Sequence, residues 1–443
     1  MKKILLLLVL LSINKIQSQI LEERERAKVV DQILAERFNE VLPELMGRTD
    51  VDMWILISRE YNEDPVLRTM LPATWLNARR RTILVFYKPP AQDTIEKLAI
   101  ARYNIGENIE SAWNKEKQPD QWQALIDIIK DRDPGKIALN ISENFGIADG
   151  LVKTDYDEFI TALPEEYKSR ITSAEDLSVG WIETRTLREM VIYSSLVELT
   201  HDIIAEAFSL EVIQPGVTTT DDVVWWMRQK VTELGLETWF HPTVDIQRNE
   251  EELVDHITAF SDEKGSSVIL PGDLLHCDFG VTYLRLNTDC QQMAYVLKND
   301  EIEAPEFLQQ ALDKGNKLQD ILTSNFKTGL SGNEILHQSL EEAQKEGLKA
   351  SIYTHPLGLY GHSAGPTIGM WDQQEGVPGA GDYPLYENTV YAIELNTEVE
   401  ISEWNKSIRI MLEEAGFWGE DGFRYVNGRQ RDLILIPSEE VEN

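Results

Sequence analysis

The sequence predicts an α/β domain followed by a larger α+β domain, and three observations carry that expectation. The chain has 443 residues, more than one hydrophobic core usually organises. Its first half alternates short strand-like runs with segments of helical apolar spacing. Its second half opens with amphipathic helices and continues as short segments in which apolar and polar residues alternate.

The N-terminus reads as a secretory signal over residues 1–18: Lys2 and Lys3 form a basic start, Ile4 to Leu11 an apolar run, and Ser12 to Ser18 a mostly polar stretch. The run is far shorter than the ~20 residues that a bilayer span needs. No cysteine follows that could carry a lipid, and the expected location is periplasmic or secreted. Removing Lys2, Lys3 and Lys15 deepens the formal charge from −34 to −37. So acidic a surface repels phosphate backbones and anionic lipid, which argues against nucleic-acid and membrane partners.

Residues 19–175 are expected to form the first domain. Glu22 to Leu45 reads as a helix, and Asp52 to Ser58, Thr82 to Lys88 and Lys136 to Asn140 as strands. Asp93 to Ile100 and Gln121 to Ile129 carry helical spacing. The polar segment from Arg59 to Pro65 reads as a solvated turn, with a substrate-facing loop as the alternative.

The second domain is expected over 176–443. One long helix is predicted from Glu183 to Leu210, with Met190, Val197, Ile204 and Phe208 on its apolar stripe and His201 riding on it as a structural histidine. Pro215-Gly216 makes a turn, Thr218 to Asp221 supplies a cap, and a helix runs from Asp221 to Leu234 until Gly235 stops it. Trp225 and Trp226 read as packing residues.

The chemistry lies further on. Alternation in Leu274 to Gly280 puts Asp278 on a face with His276, and Asp289 sits in Leu286 to Val296 on a face with Asn287. His355 and His362 bracket a stretch rich in glycine. Glu394 shares a face with Ala392 and Asn396. In Ile408 to Glu414 the alternation selects Glu413, with Arg409 and Met411, over Glu414. Carboxylates set among apolar neighbours repel one another and lose hydration unless a cation gathers them. Four oxygen ligands and one imidazole suit two divalent ions, Mn²⁺ first, with Co²⁺, Zn²⁺ or Fe²⁺ as alternatives, and point to metal-dependent hydrolysis. The two cysteines, Cys277 and Cys290, adjoin the two aspartates. If Asp278 lies opposite Asp289 in an antiparallel pair, Cys277 lies opposite Cys290 on the other face, either as a cross-strand disulfide or as two packed thiols.

The order Asp278, Asp289, His355 with His362 seven residues on, Glu394 and Glu413 resembles the pita-bread metallopeptidases, the family of methionine aminopeptidase, aminopeptidase P, prolidase and creatinase. The resemblance spans about Trp181 to Pro437, and the preceding α/β domain is similar to that of the aminopeptidase P, prolidase and creatinase branch. It implies a pita-bread catalytic domain in which Asp278 and Asp289 bind metal with Asp289 bridging. His355 would bind one ion, Glu394 would bind and also handle a proton, and Glu413 would be the second bridge. His362 would be the substrate-side histidine that stabilises the tetrahedral intermediate. An upstream histidine of the family corresponds to His256, with His241 as the rival. The implied activity is removal of the N-terminal residue of small peptides, of Xaa-Pro type, by an aminopeptidase or dipeptidase that pairs as a homodimer. Two departures stand out: the family's final Arg-x-Glu reads Arg409-Ile410-Met411 here, and His256 lies further from Asp278 than the pattern has it. A metal-independent creatinase-like hydrolase and an inactive binding protein of the same fold therefore remain as alternatives.

Overall fold

In a computed structural model of the chain, the described residues are 20–90, 94–249 and 268–438; the expected signal and His256 lie outside them. The chain divides into two compact units, one of Glu22–Glu189 and one containing Met190–Asn443.

The first unit is built on a six-stranded sheet. Its central strand Met53–Arg59 pairs antiparallel with Arg81–Tyr87 on one side and parallel with Ile137–Leu139 on the other. Glu96–Ala99 and Ile171–Ser173 extend the sheet outward. Ile55, Ile57, Val85, Leu125, Ile129 and Phe159 fill a shared core. Gln121–Arg132 is helical as expected, started by the Asp120 carboxylate, which accepts from Trp122 and Gln123, and stopped at Asp133 in the left-handed region, φ 43°.

Two sequence expectations in this unit give way, and a third, the turn from Arg59 to Pro65, is refined. The helix expected over 93–100 is the strand Glu96–Ala99, because a short apolar run at Leu98 to Ala101 does not distinguish the two states and pairing with Arg81–Tyr87 decides it. The first helix is two, Glu23–Asn39 and Val41–Arg48. Pro43 has no N–H and its ring meets the carbonyl four residues back, at Asn39, where the first helix ends. The Arg59 to Pro65 segment is a structural turn: buried Asp64 accepts from Leu67 N at 2.8 Å to cap the helix Pro65–Thr69, and Arg59 pairs with Asp155 at 2.8 Å.

The long helix expected from Glu183 to Leu210 starts later, as Leu187–Ala207, and a separate helix, Glu175–Glu183, precedes it. Thr186 and Glu189 cap the long helix reciprocally: Thr186 N donates to Glu189 Oε2 at 2.8 Å, and Glu189 N donates to Thr186 Oγ1 at 3.2 Å. This is a capping box, with the Thr-x-x-Glu spelling present in the sequence.

The second unit carries three larger sheets. One, in the order Ile434–Ile436, Cys290–Val296, Leu274–Phe279, Thr243–Gln247, supplies the two aspartates. The second joins Lys349–Ile352, Leu395–Ile401 and Lys406–Leu412, and the third joins His355–Leu357, Thr389–Ala392, Ala415–Gly419 and Gly422–Tyr425. Helix Thr220–Glu233 carries a capping box between Thr219 and Asp222. Helix Glu306–Ser324 buries Leu308 and Leu312 with Ile408, Ile410 and Leu412. A β-carbon on Gly315 would come within 2.8 Å of Ile410 and 2.9 Å of Leu412. That close approach explains a glycine in a helix interior, where it costs about 1 kcal/mol against alanine. Among the described residues, no helix is long and apolar enough to cross a membrane.

The register between the two aspartate-bearing strands differs from the symmetrical one expected. Asp278 lies opposite Gln291, Cys277 opposite Gln292 and Cys290 opposite Phe279. An offset of two residues preserves which side chains share a face while separating the paired positions. The cysteines are therefore diagonal neighbours on the core face, and both are free thiols, buried and without a disulfide.

Candidate metal centre

The five expected ligands come from places where strands begin, end or break. Asp278 is the penultimate residue of its strand, Asp289 immediately precedes Cys290–Val296, and His355 opens its strand. Glu394 falls in the gap between Thr389–Ala392 and Leu395–Ile401, where two of the sheets meet. Glu413 falls in the gap between Lys406–Leu412 and Ala415–Gly419, and its backbone exchanges hydrogen bonds with Gln291 at 3.0 and 3.2 Å. The third sheet is thereby tied to the first at the point where the carboxylates gather.

The structure brings all five together. Asp278, Asp289 and Glu413 form one group of potential ligand atoms within 4.8 Å of one another, and His355, Glu394 and Glu413 form another. His362 joins Asp289 and His355 in a third. The tautomer of His355 follows from its neighbour. Its Nδ1 lies 3.0 Å from the Pro356 carbonyl, which can only accept, so Nδ1 carries the hydrogen. Nε2 then presents a lone pair toward three carboxylates: Glu413 at 3.6 Å, Asp289 at 3.8 Å and Glu394 at 3.9 Å. These separations are too long for hydrogen bonds. His355 Nε2, Asp278 Oδ1, Asp289 Oδ1 and Glu413 Oε1 are all buried without a hydrogen-bond partner. Lone pairs turned toward one another in a dry interior are costly unless cations lie between them, so the donor set fits a divalent metal centre.

The electrostatics agree. Burial first, then the surrounding carboxylates, holds Asp289 well above the usual carboxylate range, and burial with the Glu413 and Asp278 charges does the same to Glu394. Glu413 is raised by burial and by Asp278. Asp278 is pushed up to about 6, chiefly by burial. His355 is lowered to about 4 by burial. His362 keeps one exposed edge while Trp239, Tyr353 and His355 wall the other, and this desolvation together with His355 lowers it to about 4. Both imidazoles are thus neutral at physiological pH.

Several site residues were not singled out from the sequence. Gln291 donates from Nε2 to Glu394 Oε1 at 2.8 Å and to Glu413 Oε2 at 3.0 Å. Trp239 stands edge-on to His362, with ring centroids 5.3 Å apart, and donates its indole N–H to the Thr288 carbonyl at 2.9 Å. A β-carbon on Gly361 would fall 2.4 Å from that indole, so the glycine beside His362 makes room for the ring. Gly280 similarly lies against Trp239 and the Thr288 carbonyl. His241, the rival upstream histidine, accepts from Arg228 Nη1 at 3.0 Å and packs against Trp225, exposed and outside the ligand groups. Glu414 turns away from the metal centre. Its Oε2 meets His201 Nε2 at 2.7 Å, and its Oε1 accepts from Gln292 at 3.2 Å and Gln430 N at 3.0 Å. His201 and Cys290 also lie within ligand distance of Glu414.

Residues 194–414 match the model of metallopeptidase family M24. Among solved structures, the chain is similar to an X-Pro aminopeptidase from Thermotoga maritima, with a TM-score of 0.62 and 15% identity over 88% of this chain and 99% of that one. It is similar to an Xaa-Pro dipeptidase from Bacillus anthracis, with a TM-score of 0.53 and 16% identity over 94% and 100%. The N-terminal domain of a FACT complex subunit from Eremothecium gossypii also shares the fold, with a TM-score of 0.61 and 12% identity over 92% and 98%. No curated protein matches the chain. At these identities the structural likenesses speak for a two-domain architecture with a pita-bread catalytic domain, while the matched segment carries all five convergent ligand residues and His362; the chain belongs to metallopeptidase family M24.

Proposed function

We propose that this protein is a dinuclear-metal exopeptidase that releases the N-terminal residue of small peptides with proline in the second position. The observation that carries the reading is the set of buried, unpartnered lone pairs on Asp278, Asp289, His355 and Glu413, aimed at a common space. Mn²⁺ is the proposed ion, since four of the five ligands are hard oxygens; Co²⁺, Zn²⁺ and Fe²⁺ are the alternatives. Asp278 and His355 would each hold one ion, and Asp289 and Glu413 would bridge.

When bound, two such ions supply Lewis acidity and acidify a water molecule. Glu394 would accept a proton in the reaction: Gln291 occupies its Oε1, which leaves Oε2 toward His355 at 3.9 Å. His362, neutral because its pKa is depressed to about 4, can donate an N–H to the oxyanion without adding a positive charge beside the metals. Tyr353 and Trp239 wall its inner side and limit water there. His256 is assigned as the second substrate-side histidine on sequence grounds.

The preference for Xaa-Pro draws on the names of the structural neighbours, the periplasmic or secreted location on the N-terminal sequence, and the homodimer on the family resemblance. The likeness to the FACT subunit favours a second reading, a binding protein that keeps the fold. The test is hydrolysis by Mn²⁺-reconstituted protein of Ala-Pro-Ala, Ala-Pro and Ala-Ala-Ala, read by mass spectrometry. Chelator-sensitive release of alanine from Ala-Pro-Ala but not from Ala-Ala-Ala supports the reading, and cleavage of Ala-Pro adds dipeptidase activity. Metal-bound protein that cleaves none of the three contradicts the assigned substrate and favours the binding protein.

A further inference from the structure

The metal centre's two glutamates share one amide. Gln291 Nε2 lies 2.8 Å from Glu394 Oε1 and 3.0 Å from Glu413 Oε2. Carboxylates only accept, so both hydrogens of the amide are committed to them and its Oε1 must face elsewhere. There it meets His276 Nε2 at 2.9 Å. An amide oxygen only accepts, so this ring nitrogen carries the hydrogen. The other nitrogen, Nδ1, faces Asp245 Oδ2 at 3.8 Å. His276 and Gln291 are 1% and 2% exposed, so the chain is dry and its direction fixed.

The consequence for the glutamates is orientational. Each has one oxygen tied to Gln291 and the other turned toward His355, Glu394 Oε2 at 3.9 Å and the unpartnered Glu413 Oε1 at 3.6 Å. Among the described residues no other side chain donates a hydrogen bond to Glu394 or Glu413, so without the amide mutual repulsion would splay the two carboxylates.

Building on the dinuclear-metal reading, we propose that Gln291, itself oriented by His276, is the positioning residue that presents Glu394 and Glu413 to the metals. It touches neither substrate nor ions. Outer residues that orient metal ligands typically contribute about 10–100-fold in affinity.

The test uses the full chain, stripped by chelation and titrated with Mn²⁺ by calorimetry, with Mn²⁺ electron paramagnetic resonance as a second readout. Gln291→Met keeps the volume and removes both donors. Gln292→Met makes the same change one residue along, on the opposite face, where the amide serves Glu414. The expected result is a loss of roughly 10-fold or more in Mn²⁺ affinity for Gln291→Met and unchanged affinity for Gln292→Met. His276→Leu, which leaves the amide in place but unanchored, should lose less, and Gln291→Met combined with His276→Leu should lose no more than Gln291→Met alone. Should Gln291→Met fail to fold, a loss of affinity in His276→Leu still supports the chain, and unchanged affinity there overturns it. Wild-type affinity in both single variants, or an equal loss in Gln292→Met, overturns the proposal while leaving the metal centre standing. Failure of the unaltered protein to bind Mn²⁺ removes the metal reading and this inference with it.

Discussion

Replacing Asp278 by asparagine should make the metal-free protein more stable at alkaline pH while weakening its hold on metal. The folded protein raises the Asp278 pKa from 3.8 to about 6, chiefly because the carboxyl is buried. A raised folded value means that the protonated form is favoured by folding: the group's contribution is fully present below 3.8 and is lost as pH rises through about 6. Such a displacement corresponds to about 3 kcal/mol. Asparagine is isosteric and never ionises, so the variant escapes this penalty. His355 and His362 slope the other way, their lowered values giving stability present above the unfolded 6.5 and lost as pH falls through about 4. They are common to both proteins and cancel in the comparison. Thermal unfolding of chelator-treated protein should therefore show Asp278→Asn more stable by roughly 6–12 °C at about pH 8, on the scale expected for a domain of this size, with the advantage gone near pH 4. Adding Mn²⁺ should reverse the order, because the unaltered protein binds and the variant binds poorly. A metal-free variant less stable than the unaltered protein at about pH 8 would refute the claim that burying the Asp278 carboxylate destabilises the metal-free fold.

Three further outcomes follow from the same geometry. Mn²⁺ affinity should fall as pH drops through about 6, where Asp278 takes up a proton, and calorimetry in buffers of different ionisation enthalpy should register proton release on binding; pH-independent affinity between about pH 5 and 8 contradicts this. His362→Ala should keep its metals while kcat falls roughly 100- to 1,000-fold, as for loss of one oxyanion donor; steady-state kinetics with metal analysis decides it, and undiminished turnover removes His362 from the mechanism. His201→Leu leaves Glu414, 1% exposed at its side chain, without its histidine partner. That should cost on the order of 3 kcal/mol in denaturant unfolding with Mn²⁺ binding kept, whereas loss of metal with unchanged stability would place Glu414 in the metal centre instead.

What was legible in the sequence was face, and what was not was register and interruption. Alternation within Ile408 to Glu414 selected Glu413 over Glu414, and the structure sends the first to the carboxylate cluster and the second to His201. Parity also placed Asp278 and Asp289 on one face. It could not fix the offset that sets Asp278 opposite Gln291, because a shift of two residues leaves every face unchanged. Gln291 was passed over for the same reason: a glutamine on a strand announces nothing until the partners across three sheets are known. Trp239 was likewise invisible, since its role depends on Gly361 arriving from more than a hundred residues away. Helix breaks were readable in hindsight at Pro43 and at Thr186-x-x-Glu189, where a local rule was outweighed by continuous apolar spacing. The strand Glu96–Ala99 was not readable, as its state is decided by the neighbouring strand Arg81–Tyr87.

The most direct test of the central claim is anomalous diffraction at the manganese edge from crystals of the Mn²⁺-reconstituted protein. Two peaks within coordination distance of Asp278, Asp289, His355, Glu394 and Glu413, absent from crystals of chelated protein, are the predicted result. Fully reconstituted protein with no peak among these residues, or with manganese only elsewhere, would contradict it.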